Sequence, residues 1–264
     1  MASVTQRIKM IKQPRGGYIK PSMFKTINLD SSKQLNDEEN ISPAIIGMAV
    51  DYMTRFMTGT EKEDAFRISL EGAEIAAAFA SALGKPDALK ISEKLLEDIK
   101  GLDDQSVINT CKLVTFDAWW RNLVGAMMSK GYDEINPDTK TVQNIKIMVE
   151  RSMAFWKEYG PVTVDGFTFE TKGYTETVDS GDGDYLTADT LWDFKVSKSK
   201  PTNKHTLQLL MYWIMGKHSE KPEYKNITKL GIFNPRLNIV YILNISDIPQ
   251  NTIKTVEKEV ICYE

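Results

Sequence analysis

The sequence predicts an α/β (α+β) protein in which a helical N-terminal region precedes a mixed segment of strands and helices. Three observations carry this expectation. Over residues 42–159 apolar positions recur at helical spacing, with capping and stop residues at the segment ends. Over residues 162–196 the apolar spacing falls to two, the period of a strand. A helical segment at 203–215 then separates these strands from two more apolar runs, 230–234 and 238–243.

Composition sets the outer limits. A chain of 264 residues with 42% hydrophobic content is long enough for a real core. Its net charge of −3 makes no global case for nucleic acid, but the local distribution is uneven. Residues 165–193 hold eight acids and one base, Lys172, whereas 195–236 hold nine lysines and arginines and two acids, Glu220 and Glu223. A solvated surface explains either block alone, and a cation pocket beside a phosphate-facing rim explains both. Two cysteines, Cys111 and Cys262, are too few for a four-cysteine zinc site, and a cytoplasmic location is expected. No apolar run approaches the ~20 residues of a bilayer span, so no membrane partner is expected.

Taken in order, residues 1–40 carry seven lysines and arginines, no acid before Asp30, and Pro14-Arg15-Gly16-Gly17. Residues 1–41 therefore read as a basic extended arm, partly disordered and solvated. Residues 42–135 read as a helical region. Ser42 caps its first helix, Pro43 takes the first helical position and Gly59 stops it. A second helix, 66–83, ends at Gly84-Lys85-Pro86, and a third, 88–100, ends at Gly101. Ser106 caps a fourth over 107–130, in which Phe116, Trp119 and Trp120 at helical spacing read as packing rather than as base-stacking groups. Asn136-Pro137 opens a fifth that runs to Tyr159, with Ile145, Met148, Val149 and Trp156 on its buried face and Glu150 at the edge. Residues 162–178 follow as strand, with a turn at Asp165-Gly166.

The chemistry concentrates in residues 181–212. Asp184 lies in Gly181-Asp182-Gly183-Asp184, and Thr187 to Thr190 makes a turn between two antiparallel strands, which brings Asp184 close to Asp193. Asp193 and Lys195 share one face of their strand, with Trp192 and Phe194 on the other. On the helix that follows, Gln208 and Tyr212 stand four apart on one face.

This arrangement, over roughly residues 141–248, resembles the PD-(D/E)XK nuclease superfamily, and Gln208-x-x-x-Tyr212 resembles its RecB-like exonuclease branch. Gly181-x-x-Asp184 looks like the second motif of that branch and Asp193-x-Lys195 like the third. The resemblance implies a restriction-endonuclease-like α-β-β-β-α-β core with a mixed central sheet, here over residues 136–264. It also implies magnesium or manganese held by Asp184, Asp193 and the backbone carbonyl of Phe194, with Lys195 acting on the attacking water and the transition state. Gln208 and Tyr212 would orient the lysine, the water or a phosphate. An acid from the first core helix is expected too, either Glu150 or Glu158.

Lys198, Lys200 and Lys204 lie just past the motif, where backbone phosphates would pass. Two histidines, His205 and His218, are too few for a histidine-built zinc centre. A complete dinucleotide loop, calcium loop or Walker motif is not encoded. The expected function is metal-dependent phosphodiester hydrolysis of nucleic acid, with DNA the expected substrate and an exonuclease the expected type. The alternative is a non-catalytic nucleic-acid-binding or regulatory protein that keeps the nuclease fold. The N-terminal helices are the expected surface for a second copy or a protein partner.

Overall fold

A computed structural model describes residues 2–30, 32–82 and 87–264, and its N-terminal stretch is folded rather than extended. β1 (Ala2–Ser3) leads into α1 (Val4–Met10), and β2 (Lys25–Asn28) follows. Ser3 and Gln6 form a reciprocal cap: the Gln6 amide donates to Ser3 Oγ at 3.2 Å, and the Ser3 amide to Gln6 Oε1 at 2.9 Å. Val4, Ile8, Ile19 and Phe24 are buried in the main core. The expected arm is thus corrected over residues 2–28. Its apolar residues at helical spacing outweigh its exposed charges, because burying each such side chain is worth ~1.5–3 kcal/mol.

The chain divides into two compact units, residues 31–154 and residues 1–30 with 155–264. The first is helical: α2 (Pro43–Met57), α3 (Lys62–Ala65), α4 (Arg67–Ala82), α5 (Ala88–Glu97), α6 (Asp104–Leu113), α7 (Asp117–Arg121), α8 (Leu123–Met128) and most of α9 (Thr139–Tyr159). Ser42 caps α2 through the Ala44 amide, with Pro43 in the first turn as expected. The stop expected at Gly84-Lys85-Pro86 lies outside the described residues.

The single helix expected over 107–130 is instead broken into α6, α7 and α8. Asp103 rather than Ser106 caps the first, accepting from the Ser106 amide at 3.0 Å. The main break falls at Asn122, whose backbone is extended (φ −160°, ψ 91°) and whose side chain caps Gly125 at 3.1 Å. Asp117 is buried just before it, accepting from Tyr52 Oη and Ser69 Oγ at 2.5 Å each. Phe116 is buried and Trp119 packs on Phe79, but Trp120 is 50% exposed and contributes little to a core.

The second unit is built on a sheet. After α9 come β3 (Val164–Phe167), β4 (Val178–Ser180), β5 (Gly183–Leu186), β6 (Thr190–Phe194), α10 (Asn203–His218), β7 (Lys229–Asn234), β8 (Ile239–Asn244) and α11 (Gln250–Thr255). Asp165-Gly166, expected as a turn, lies inside β3, where Asp165 is paired with Tyr185. The six-stranded mixed sheet has the order β2-β8-β7-β6-β5-β3. Within this sheet only β6 and β7 run parallel, and α10 is the crossover a parallel pair needs. β4 pairs instead with β1. The boundary expected at residue 136 therefore moves into α9, whose last turn from Phe155 belongs to the sheet unit.

Two faces follow from strand alternation. On one, Leu186, Leu191, Leu230 and Ile232 share a core with Leu207, Leu210, Met211 and Ile214 of α10 and with Val4 and Ile8 of α1. On the other, Phe155 stacks on Phe233 (4.0 Å between centroids) and meets Trp192 edge-on at 4.9 Å, while Trp156 meets Tyr185 at 4.8 Å. No helix among the described residues is long and apolar enough to cross a membrane.

Candidate active site

The β5–β6 hairpin forms as its turn residues dictate. The Thr187 amide donates to the Thr190 carbonyl at 3.0 Å, and Trp192 Nε1 donates to Thr187 Oγ1 at 3.1 Å. Pairing runs through Leu186–Leu191 and Tyr185–Trp192. One step further Asp184 takes over with its side chain, and Oδ2 accepts from the Phe194 amide at 2.7 Å. Leu186 faces the α10 side, so Asp184, two residues earlier, faces it as well.

Gly183 is required by its neighbour. A Cβ there would lie 1.9 Å from Phe167 Cζ, on the residue directly opposite in β3. The Phe167 ring in turn stands edge-on to Tyr212 at 5.8 Å. The glycine thus lets one ring connect the motif hairpin to α10.

Asp193 is 2% exposed. Its Oδ1 accepts from Lys195 Nζ at 2.8 Å, and its Oδ2 is buried with no hydrogen-bond partner among the described residues. Lys195 continues the strand, its amide donating to the Phe233 carbonyl at 2.9 Å, which fixes its side chain on the face of Asp193.

Gln208 Nε2 donates to Tyr212 Oη at 2.8 Å. Burial first, and then the negative charge of Asp193, holds the Tyr212 phenol well above its ordinary range, with Asp184 and Asp182 adding to the effect and the Gln208 bond opposing it. The phenol stays protonated. Because its oxygen accepts from Gln208, its own proton is left for a donor role.

His205, in the first turn of α10, joins the cluster. Its Nδ1 accepts from the Thr202 amide at 3.2 Å, which leaves the ring proton on Nε2. Burial and then the charge of Lys195 lower its pKa, against the opposing pull of Asp193. The ring is therefore neutral beside the lysine–aspartate pair.

The structure thus brings Asp184, Asp193, Lys195, Phe194, Gln208 and Tyr212 together on one unit. Lys198, Lys200 and Lys204 are exposed on the segment from β6 into α10. Glu150 lies in the helical unit, where its carboxylate takes the Lys33 ammonium at 2.5 Å. Glu158 lies in the sheet unit and is exposed. Among the described residues no group of three or more His, Cys, Asp and Glu side chains is gathered for a metal. Two carboxylates remain, the number magnesium commonly takes from a protein.

Sequence patterns missed two features of the sheet unit. One is the Phe194 amide as the anchor of Asp184, for which no local signal exists. The other is the N-terminal segment: Ser3-x-x-Gln6 before Val4, Ile8 and Ile11 was a legible helix start. No protein-family model, curated protein or solved structure matches the chain.

Proposed function

We propose that the protein is a metal-dependent nuclease that hydrolyses phosphodiester bonds of nucleic acid, with DNA as substrate and an exonuclease mode. The observation that carries this reading is the Asp193 carboxylate, buried with Lys195 on one oxygen and no hydrogen-bond partner among the described residues on the other. A buried acceptor without a partner costs ~1–3 kcal/mol, more when charged, and a cation at that oxygen offsets the cost. Asp184 supplies the second carboxylate. The order α9-β3-β5-β6-α10-β7, with β6 and β7 parallel, supports a nuclease-like α-β-β-β-α-β core in which β4 is an insertion and β8 and β2 extend the sheet.

Asp184, Asp193 and the Phe194 carbonyl are the groups that would hold magnesium or manganese. When bound, the ion supplies Lewis-acid charge and makes water a nucleophile near neutral pH. The chain's own residues do the rest. Lys195, fixed by Asp193, places a positive charge where negative charge develops on the phosphate oxygens. Gln208 and Tyr212 offer neutral donors that orient a water or a phosphate without adding charge. Water attacks phosphorus and releases a proton to solvent, one P–O ester bond breaks, and the leaving oxygen takes a proton from solvent.

The test is degradation of labelled linear, circular, single-stranded and double-stranded DNA and RNA with each divalent metal. Magnesium or manganese should support cleavage, and calcium, larger and looser in geometry, should not. Tight binding with no cleavage under any metal would replace this reading with that of a non-catalytic binding protein.

A further inference from the structure

The N-terminal stretch is the most basic part of the sequence and was expected to be an extended arm. The structure docks it on α10. Pro14 to Gly17 closes a tight turn, with the Gly17 amide on the Pro14 carbonyl at 2.8 Å. Gly17 has φ +92°, and a Cβ there would lie 2.5 Å from Asn203 Cβ, so the turn rests directly on the first residue of α10. Two residues on, the fully buried Ile19 offers its carbonyl to Thr206 Oγ1 at 2.6 Å. The loop is therefore fixed at both of these points.

These contacts put two basic segments, distant in sequence, at one place. Arg15 sits two residues before the Gly17–Asn203 contact and Lys204 one residue after it. Lys20 follows Ile19. Lys12, Arg15 and Lys20 are all exposed, as are Lys198, Lys200 and Lys204. No ion pair neutralises any of the six among the described residues. No acid occurs in residues 2–29 or 195–219, so the two segments carry no acid of their own. The catalytic cluster adjoins the same helix turn, since His205 lies in the fields of Lys195 and Asp193.

We infer that the loop of residues 12–20 is a second binding wall for the substrate, in which Lys12, Arg15 and Lys20 take phosphates of a nucleic-acid strand opposite Lys198, Lys200 and Lys204. The inference rests on the nuclease reading and adds to it a footprint that sequence order alone hides. Six cations on two walls suit a polyanionic backbone rather than a single phosphate. Contacts of this kind set affinity and register, and they are read out in the salt dependence of binding.

The experiment measures the affinity of the full chain for a labelled single-stranded oligonucleotide in metal-free buffer, across a salt series. Each lost single-strand phosphate contact lowers the slope of log K against log salt by ~0.7. Lys12→Gln/Arg15→Gln/Lys20→Gln should therefore reduce the slope by about 2, and Arg15→Gln alone by about 0.7. Both should melt as the parent does. Lys198→Gln/Lys200→Gln/Lys204→Gln serves as the reference for the other wall. A slope unchanged by the loop variants but reduced by the reference variant overturns the second wall and leaves the nuclease reading standing. A parent that neither binds nor cleaves overturns both.

Discussion

The Asp184 carboxylate accepts a 2.7 Å hydrogen bond from the Phe194 amide, so one side chain takes the place of a strand-pairing bond at the mouth of the β5–β6 hairpin. Structure and chemistry then separate by substitution. Asp184→Asn keeps an acceptor for the amide and should fold normally while losing metal-dependent cleavage. Asp184→Ala strands the amide and should lose a further ~1–3 kcal/mol of stability. Urea denaturation of both variants, beside a cleavage assay, checks this; equal stability would mean the bond is not structural.

In the proposed nuclease reading Lys195 acts in the transition state, so its loss should spare ground-state binding. Lys195→Ala is expected to abolish cleavage and to keep most nucleic-acid affinity. Asp193→Asn should lose cleavage as well, together with any rise in melting temperature on adding magnesium to the parent. A magnesium shift that survives Asp193→Asn would remove this carboxylate from the metal site.

Gln208→Ala and Tyr212→Phe should each lower turnover while leaving the melting temperature within a few degrees. The aromatic contacts of Tyr212 with Phe167 and Phe169 survive in the phenylalanine variant, so packing is largely kept. Unfolding of both variants would make the pair structural and weaken the exonuclease assignment.

Gly183→Ala drives a methyl group into the Phe167 ring, a form of overpacking that costs ~1–3 kcal/mol. Phe167→Leu on its own should also destabilise. The double variant should be more stable than the sum of the two losses predicts, because the smaller side chain makes room for the methyl group. Additive losses, measured by urea denaturation, would show that the glycine is not there for the ring.

His205 resists protonation in the folded chain, chiefly because it is buried and faces Lys195. The unfolded chain takes up that proton near its ordinary pKa of ~6.5, so below this value the unfolded state binds more protons and stability falls with falling pH. The stability is fully present above that range and is lost as pH falls toward the depressed folded pKa. His205→Gln should flatten this dependence between about pH 7 and pH 5, and denaturant midpoints at the two values measure it. An unchanged slope would place the acid sensitivity elsewhere.

Local order was legible wherever a pattern and its reward lie within a few residues. The 187–190 turn, the shared face of Asp193 and Lys195, the Gln208–Tyr212 spacing and the Ser42-Pro43 helix start all rest on periodicity and capping, which act at short range. The broken helix at Asn122 escaped because its amphipathic pattern continues through the break, and only the extended backbone and side-chain cap of Asn122 reveal it. Tertiary structure alone decided three matters at the candidate site. It set the Phe194 amide on Asp184, it left Asp193 Oδ2 buried with no hydrogen-bond partner among the described residues, and it folded the basic N-terminal loop onto Asn203 and Thr206. The first and the third depend on hydrogen bonds and burial that no local propensity encodes; the Thr206–Ile19 bond spans 187 residues. Sequence by itself determined which carboxylates, lysines and amides this segment carries and at what spacing. The closing of the sheet determined which of those charges face one another.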